Sequence, residues 1–244
     1  MKKISILCPT RQRADRAFNY AWTVFNTARN SERVEVLFYV DTDDPENDLY
    51  IQWSINPTPY NITTVFGEPM SVSKSWNILA EKCTGDILLM GNDDLIHETE
   101  GWDEILEEVS NEFPDDIYCA FFDDGINHGK HCAFPAVSRK WYNTLGYFTP
   151  GIFEFIANDT WVFDIAKKID RVRYIPEVLV RHEHHSVTKV KDETTKRHRE
   201  GANKDRIKRD LALFKKTNSD RERAAEKLRE ITEGRLIQVL NPLT

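Results

Sequence analysis

The amino-acid sequence predicts an α/β fold with a mostly parallel central sheet flanked by helices, followed by a C-terminal helical extension. Short apolar runs alternate with helix-like stretches through the first 188 residues, and this alternation is typical of a parallel sheet. The charge composition then changes abruptly after residue 188. We therefore predict an α/β domain over residues 1–188 and a charged helical extension over residues 189–244 of the 244-residue chain.

The strand-like runs are short and rich in β-branched and aromatic residues, which favour a pleated, buried backbone. They are Ile4–Cys8, Val34–Val40, Asn61–Phe66, Ile87–Met90, Ile117–Phe122 and Arg173–Val180. Between them, apolar residues recur every three to four positions over Arg13–Arg29, Val72–Lys82 and Trp102–Phe113. This period predicts three amphipathic helices in the body of the protein.

The charge of the chain is divided unevenly between its parts. Residues 1–188 carry 17 basic and 30 acidic side chains, whereas residues 189–216 carry 11 basic and 5 acidic ones. A basic segment next to an acidic body is consistent with a solvated helical surface. It is also consistent with an arm that binds an acceptor or mediates oligomerisation, and the sequence leaves both interpretations open.

Two helices are predicted within the extension, over Asp192–Lys216 and Ser219–Glu233. Ile207, Leu211 and Phe214 mark a narrow apolar stripe in the first of them. We expect this helix to pack against the body through that stripe, with its basic side chains facing outward.

No targeting or membrane-spanning segment is recognisable in the sequence. The first apolar run is shorter than the core of a secretory signal, and no stretch approaches the roughly 20 apolar residues of a membrane helix. The four cysteines, at positions 8, 83, 119 and 132, form no C-x-x-C pair and suit a reducing compartment. These features predict a cytoplasmic protein with no membrane partner.

Three polar clusters follow predicted strands, at residues 9–13, 41–45 and 91–94. In open α/β sheets, ligands bind outside the carboxyl ends of the strands. We therefore expect the three clusters to converge on one ligand-binding site at that edge of the sheet.

The side chains in these clusters suit a nucleotide held through a divalent cation. Arg11 and Arg13 can hold an anionic phosphate, and Asp41 can accept a hydrogen bond from a base or a ribose. Asp93 and Asp94 would repel each other unless they share a cation, and such oxygen ligands suit Mg²⁺ or Mn²⁺ bridging phosphates. The alternative is that these two carboxylates cap the following helix or turn.

The order of these motifs resembles the GT-A glycosyltransferases, especially those of the family 2 type. The segments that carry the resemblance are I-S-I-L-C-P-T-R from residue 4, V-D-T-D-D from residue 40 and S-V-S-K-S-W-N-I-L-A-E-K-C-T-G-D-I-L-L-M-G-N-D-D from residue 71. The resemblance extends over residues 3–185 and is strongest over residues 71–95. It implies the GT-A fold, a nucleotide-sugar donor, expected to be a UDP-sugar, and transfer of its sugar to an acceptor hydroxyl.

The resemblance also assigns residues to the donor site. The expected donor-binding residues are Pro9, Thr10, Arg11, Arg13, Asp41, Lys74, Asn77, Asn92 and Asp93. Asn92 stands at the first position of the D-x-D motif, where the family has Asp, and this departure implies an altered ribose contact.

Asp94 stands at the metal-binding position of that motif, so the resemblance implies Mn²⁺ or Mg²⁺ as the cofactor. Members of the family often place a histidine after the last strand of the domain as a further ligand. Histidines lie there at positions 182, 184 and 185, and His182 is favoured, although all three are also consistent with a surface loop. Separately, His128, His131 and Cys132 have the chemistry of zinc ligands but no evident fourth partner.

Asp159 matches the aspartate that is the catalytic base in inverting members of the family. It lies in the segment A-N-D-T-W, after a stretch, Phe134–Phe148, that resembles the strand and helix preceding this aspartate in those enzymes. A carboxylate at a helix start can take a hydroxyl proton. Aspartate is also a common helix N-cap, which is the alternative.

The acceptor is not specified by any motif. Unanchored transferases of this type glycosylate hydroxymethylated DNA bases in bacteriophages, and the basic segment 189–216 could track a phosphate backbone. A polysaccharide or a protein is the alternative acceptor. A nucleotidyltransferase of similar fold and a non-catalytic nucleotide-sugar-binding protein are the rival function classes. The former usually has a glycine-rich loop after the first strand, and residues 8–13 contain no glycine. The latter would not require Asp94 and Asp159.

Overall fold

The computed structural model of the chain describes residues 1–55, 59–184 and 205–234. The strands are β1 (Ile4–Thr10), β2 (Val34–Asp41), β3 (Ile62–Gly67), β4 (Ile87–Met90), β5 (Leu95–His97), β6 (Cys119–Asp123), β7 (Ala136–Ser138) and β8 (Val172–His182). The helices are α1 (Ala14–Thr27), α2 (Asn47–Ile55), α3 (Val72–Lys82), α4 (Trp102–Asn111), α5 (Arg139–Leu145), α6 (Asn158–Lys168), α7 (Arg206–Lys216) and α8 (Asn218–Thr232). None of the described helices is long and apolar enough to cross a membrane.

The described strands form an eight-stranded mixed sheet in the order β3-β2-β1-β4-β7-β6-β8-β5. β1 lies between β2 and β4 and is parallel to both, and β3 continues this parallel half. In the other half, β7 is antiparallel to β4 and β6, whereas β8 is parallel to β6 and antiparallel to β5. This topology confirms the predicted α/β class.

Helices cover both faces of the sheet because β1 is apolar on both. Ile4 and Ile6 belong to the core that includes α1 and α4, whereas Leu7 belongs to the core that includes α3, α5 and α6. All three side chains are fully buried. A strand buried on both faces has a continuous apolar sequence, which is why the first strand was recognisable.

The predicted strands and helices of the body are confirmed, with ends shifted by a few residues. The strand and helix expected within Phe134–Phe148 are β7 and α5. Two elements, α2 and β5, were not predicted. β5 is only three residues long, too short for a periodic pattern, and α2 lacks a single apolar face.

The C-terminal helices α7 and α8 pack against the body. Ala224 and Leu228 of α8 join the same core as α5 and α6. Arg221, which is 3% exposed, donates to Asp164 of α6 at 2.7 Å, and its guanidinium lies 3.8 Å from the ring centroid of Phe214. α8 therefore contributes to the core instead of forming a fully solvated surface.

The apolar stripe predicted for α7 is wrong at Leu211, which is 48% exposed. The helix instead turns Asp210, Leu213 and Phe214 toward the body. Asp210 is 2% exposed because it accepts hydrogen bonds from the backbone of the segment before α6, and this outweighs the apolar pattern. Residues 189–204 and the predicted domain boundary at residue 188 lie outside the described residues, so the division into two domains stays a prediction.

Candidate active site

The three polar clusters lie at the carboxyl ends of β1, β2 and β4. Thr10 pairs with Val40 in the β1–β2 register, and Leu7 pairs with Met90 in the β1–β4 register. The loops that follow these strands therefore emerge side by side at one edge of the sheet, where open α/β sheets bind ligands.

Gly91 allows the third loop to approach β1 closely. A Cβ atom at this position would lie 2.8 Å from Cγ2 of Ile6 and 2.9 Å from the hydroxyl of Tyr20. Core atoms do not tolerate contacts that short, because protein interiors are already close-packed. The turn after β4 therefore requires glycine, and it brings Asp93 to the end of β1.

Asp93 uses both carboxylate oxygens within the protein. Oδ1 accepts a hydrogen bond from Arg13 at 2.7 Å, and Oδ2 accepts one from the hydroxyl of Thr10 at 2.8 Å. Burial raises the pKa of Asp93, and the charge of Arg13 opposes this. Asp93 therefore joins the loops after β4 and β1 and fixes Arg13. A turn and then strand β5 follow β4, so the acidic pair caps no helix, whereas the alternative that it stabilises the turn stays open.

Asp94 and His182 form a second pair of a different kind. Nε2 of His182 lies 3.4 Å from Oδ1 of Asp94, and within the described part of the chain neither of these buried atoms has a hydrogen-bond partner. The contact arises because Leu95 pairs with His182 in the antiparallel register of β5 and β8. Burial opposes ionisation of the carboxyl, but the neighbouring imidazole holds the pKa of Asp94 below its usual value. Buried polar atoms rarely lack partners in native proteins, so an ion, a ligand or an ordered water is expected to complete the pair.

A divalent cation fits this pair. Two ligands at right angles, each about 2.1 Å from a cation such as Mg²⁺, lie about 3.0 Å apart, and the observed separation is 3.4 Å. A carboxylate oxygen and an imidazole nitrogen are both suitable ligands for Mn²⁺. The ring of His184 lies 5.2 Å from that of His182, and His185 lies outside the described residues. Within those residues, no group of three or more His, Cys, Asp or Glu side chains converges on one point.

Arg11 and Asp41 pair at the ends of β1 and β2. Nη1 of Arg11 donates to Oδ2 of Asp41 at 2.8 Å and also contacts the carboxylate of Asp43. The hydrogen bonds to Asp43 and Asp41 raise the pKa of Arg11. Asp41 is 9% exposed, whereas the side chain of Asp43 is 58% exposed. The group presents a guanidinium donor and carboxylate acceptors at the sheet edge, which can complement a polar planar ligand.

Two further carboxylates organise the loop after β1. Asp44 accepts from the backbone N–H of Gln12 at 2.8 Å, and Glu46 accepts from that of Ala14 at 2.8 Å. Gln12 has a left-handed backbone with φ of 54°, which is uncommon for a residue other than glycine. Sequence reasoning missed these roles, because the contacts depend on the pairing of β1 with β2 and have no local pattern.

Asp159 lies in the first turn of α6, beside His131. Its Oδ2 is 3.0 Å from Nε2 of His131, and its Oδ1 accepts from the backbone N–H of Thr160 at 2.6 Å. Ala157 occupies the cap position, so the alternative that Asp159 is the N-cap is wrong. The hydrogen bond to Asp159 raises the pKa of His131. The side chains of His131 and Asp159 are 34% and 30% exposed, so a ligand can reach the pair.

Asn77 has its side chain engaged within the protein. Its Oδ1 accepts from the backbone N–H groups of Phe148 and Thr149 at 2.9 and 3.0 Å, and its Nδ2 donates to the carbonyl of Thr149 at 2.8 Å. Asn77 therefore supports the segment after α5, and its expected contact with a donor stays a prediction.

The three remaining predicted donor residues are Pro9 and Asn92, which belong to the polar clusters, and Lys74 on α3. Pro9 is half-buried in β1, and Lys74 is exposed on α3. Asn92 accepts from the backbone N–H of Asp93 at 3.0 Å, so its amide oxygen shapes the acidic turn. The residues that directly follow β1, β2 and β4 thus come together, whereas Lys74 and Asn77 belong to α3 beside them.

The zinc grouping considered from the sequence is wrong. His131 pairs with the carboxylate on α6, His128 lies 3.2 Å from Asp123, and Sγ of Cys132 lies 3.9 Å from Sγ of Cys119. The three side chains therefore face different partners instead of one ion. Both cysteines are free thiols and are buried.

Several solved structures share this fold. The mannosyltransferase PcManGT of Pyrobaculum calidifontis, in complex with GDP-Man and Mn²⁺, has a TM-score of 0.66 and 12% identity over 94% of this chain and 70% of its own. TarS 1–349 of S. aureus in complex with UDP-GlcNAc has a TM-score of 0.60 and 10% identity over 80% of this chain and 64% of its own. GalNAc-T7 with UDP, GalNAc and Mn²⁺ has a TM-score of 0.61 and 10% identity over 75% of this chain and 44% of its own.

Sequence comparison adds no relatives. No family model matches the chain, and no curated protein sequence matches it. The chain spans less than two thirds of the TarS and GalNAc-T7 chains. At 10–12% identity, the likeness concerns the fold. The chain therefore has the GT-A fold, the α/β architecture of these glycosyltransferases.

Proposed function

We propose that this protein is a metal-dependent glycosyltransferase that moves a sugar from a nucleotide-sugar donor to an acceptor hydroxyl. The observation that carries the proposal is the Asp94–His182 pair, in which Oδ1 of Asp94 and Nε2 of His182 are buried and have no hydrogen-bond partner among the described residues. It lies beside the arginines that follow β1, on the edge where α/β sheets bind ligands. A cation ligand set next to guanidinium groups is suited to a diphosphate.

The proposed donor is a UDP-sugar. A pyrimidine base presents N–H and carbonyl groups, and the paired Asp41 and Arg11 offer the complementary acceptor and donor. Arg13, held by Asp93, adds positive charge for the diphosphate. TarS and GalNAc-T7 have been solved with UDP, whereas PcManGT has been solved with GDP-Man. The identity of the nucleotide is therefore part of the test.

Mn²⁺ or Mg²⁺ is the proposed cofactor, and Asp94 and His182 would hold it. The PcManGT and GalNAc-T7 structures contain Mn²⁺. When bound, such an ion offsets the negative charge on the diphosphate leaving group. Asp94 supplies an oxygen and His182 a nitrogen, and Mg²⁺ sites of this class take their other ligands from phosphate and water.

Asp159 is the proposed catalytic base for an inverting transfer. Its carboxylate takes the proton of the acceptor hydroxyl, whose oxygen bonds to the anomeric carbon while the bond from that carbon to the nucleotide oxygen breaks. The partial exposure of Asp159 allows the acceptor to reach it.

For the acceptor we propose a hydroxymethylated base in DNA. The support is the charge of residues 189–216, with 11 basic and 5 acidic side chains. On α7 the side chain of Lys208 is 85% exposed, and Lys215 and Lys216 are also exposed. Arg206 and Arg209 instead pair with Glu154, so they are less available to phosphates.

A nucleotide-release assay tests the proposal. The chain is incubated with a panel of nucleotide sugars in Mn²⁺ or EDTA, and we expect release of UDP only with the metal. Asp159→Asn keeps the size of the side chain but removes its basicity, so turnover should fall roughly 10²–10⁴-fold with donor affinity unchanged. Full activity in EDTA would contradict the proposal. Pyrophosphate release from a nucleoside triphosphate and a sugar phosphate, supplied in place of the nucleotide sugar, would identify a nucleotidyltransferase. Donor binding without turnover would identify a binding protein.

The acceptor is tested by mass spectrometry of the products. Oligonucleotides that contain 5-hydroxymethylcytosine should gain one hexose mass, whereas matched cytosine oligonucleotides should not. Transfer only to a polysaccharide or a protein would overturn the DNA assignment while leaving the glycosyltransferase proposal intact.

A further inference from the structure

We propose that His131 is a positioning residue that holds the carboxylate of Asp159 and makes turnover depend on the protonation of an imidazole. This inference rests on the proposed role of Asp159 as the base. It concerns a residue that lies 28 positions from Asp159 in the sequence and on a different element.

Both oxygens of Asp159 have fixed partners. Oδ2 is 3.0 Å from Nε2 of His131, and Oδ1 accepts from the backbone N–H of Thr160 at 2.6 Å and from its hydroxyl at 3.2 Å. A carboxylate held on both oxygens cannot rotate freely, so its remaining lone pairs point in fixed directions. A general base needs this kind of orientation toward the proton that it takes.

The imidazole ring of His131 is held in turn by α6. Phe163 lies one helical turn after Asp159, so both side chains project from the same face of the helix. The His131 and Phe163 rings meet nearly perpendicular, with their centroids 5.9 Å apart. The helix that carries the proposed base therefore also fixes the plane of the ring that contacts it.

The loop that carries His131 is itself well anchored. At its start, Asp124 accepts from the backbone N–H groups of Ile126 and Asn127 at 3.0 and 2.6 Å. Gly129 has φ of 78°, and a Cβ atom there would lie 2.7 Å from the ring of Tyr174, so this position requires glycine. Cys132, next to His131, is fully buried. These contacts on both sides of His131 set its position.

The charge of His131 acts on the proposed base. The imidazolium form holds the Asp159 carboxylate in an ion pair, which proton transfer to that carboxylate would disrupt, whereas the neutral imidazole can still donate a hydrogen bond. The hydrogen bond to Asp159 and the charge of Asp124 raise the pKa of His131, whereas burial and the charge of Lys167 lower it. Turnover should therefore rise with pH through a pKa above the usual value of about 6.5.

A purely structural ion pair predicts a different result. Partly exposed pairs contribute about 0–1 kcal/mol to stability, and their removal does not alter a pH–rate profile. His128 provides a matched control, because it lies on the same loop and pairs with Asp123 at 3.2 Å, a carboxylate that has no proposed role in the reaction.

The first measurement needs no acceptor. The His131 ring is titrated by NMR, with its signal identified among those of the seven histidines by its disappearance in His131→Gln. Asp159→Asn should lower the pKa of His131 toward about 6.5. An unchanged pKa would show that the two side chains are not coupled in solution and would overturn the inference, whatever the fate of the proposed function.

The second measurement compares UDP release from the donor across pH. His131→Gln keeps a hydrogen-bond donor but has no titrating ring. Its kcat at high pH should therefore stay within a few-fold of the wild-type value, while the acidic limb of its pH–rate profile should shift to lower pH. His131→Ala should lower kcat about 10–100-fold with the donor KM unchanged, because Asp159 loses its orientation. Profiles of both variants that match wild type and His128→Ala would overturn the positioning role. Absence of UDP release from wild type would instead contradict the proposed function.

Discussion

Asp210 offers a direct way to test how the C-terminal helices serve the site. This carboxylate on α7 is 2% exposed and accepts from the backbone N–H groups of Glu154, Phe155 and Ile156 at 3.1, 2.8 and 3.0 Å. Asp210→Ala would leave three donors without an acceptor. At about 1–3 kcal/mol for each donor left unsatisfied in the interior, reduced here because the N–H groups are only partly buried, we expect the free energy of unfolding to fall by roughly 3–5 kcal/mol.

The substitution should also affect the proposed base. The segment bound by Asp210 runs directly into Ala157, which caps α6 with a left-handed φ of 70°, and Asp159 follows two residues later. Release of this turn should displace Asp159 and lower kcat by about 10-fold or more, with little effect on donor KM. Asp210→Asn keeps a carbonyl acceptor, so it should show a smaller effect in the same direction.

Urea unfolding and donor turnover are measured for each variant in parallel. Asp205→Ala is the matched control, because Asp205 precedes the same helix and its side chain is 56% exposed. Equal stability and activity of Asp210→Ala and Asp205→Ala would refute the anchoring role of Asp210. Reduced stability with unchanged kcat would refute only the link to Asp159.

Three other features can be tested: the buried ring of His97, the turn at Gly91 and the exposed lysines of α7. Burial lowers the pKa of His97 to about 3, whereas a histidine in the unfolded chain titrates near pH 6.5. Below about pH 6.5 the unfolded chain therefore binds a proton that the folded protein does not. The free energy of unfolding should fall by about 2 kcal/mol by pH 5 as a result. The free energy of unfolding of His97→Phe, measured with urea, should not show this decrease. A pH dependence equal to that of wild type would contradict the prediction. Gly91→Ala should weaken UDP binding in Mn²⁺, measured by calorimetry, because its Cβ would push the acidic turn away from β1. Replacing Lys208, Lys215 and Lys216 with Gln should flatten the log–log salt dependence of DNA affinity by up to about 0.9 for each phosphate that these lysines neutralise, measured by fluorescence anisotropy. An unchanged slope would show that this face does not touch DNA.

The sheet edge could be predicted because it depends on local patterns. Buried strands have continuous apolar sequences, and the polar residues after them must lie at the carboxyl edge. The positions of Asp94 and Arg13 at this edge follow from these patterns, whereas the roles of both residues stay predictions. The contact between Asp94 and His182 depends in addition on β5, whose three residues carry no periodic signal. The family resemblance predicts His182 as a metal ligand, and the pairing of β5 with β8 explains why this residue lies beside Asp94.

The missed contacts join elements that are distant in sequence. His131 was interpreted as a possible zinc ligand because the neighbouring His128 and Cys132 share its chemistry, yet its partner is Asp159 on α6. Leu211 was assigned to a buried stripe because it fits the helical period. A buried carboxylate one residue earlier instead determines which face of α7 meets the body. Contacts of this kind depend on tertiary structure and leave no local pattern.

The proposed function depends on Asp94 and His182 binding a divalent cation that holds the nucleotide diphosphate. Calorimetric titration of UDP with Mn²⁺, and again with EDTA, tests it most directly on wild type and Asp94→Ala, with Asp205→Ala as the control. Wild type and the control should bind UDP more tightly with Mn²⁺, whereas Asp94→Ala should bind it equally weakly in both conditions while remaining folded. Tight, Mn²⁺-dependent UDP binding by folded Asp94→Ala would contradict this metal-binding role of Asp94.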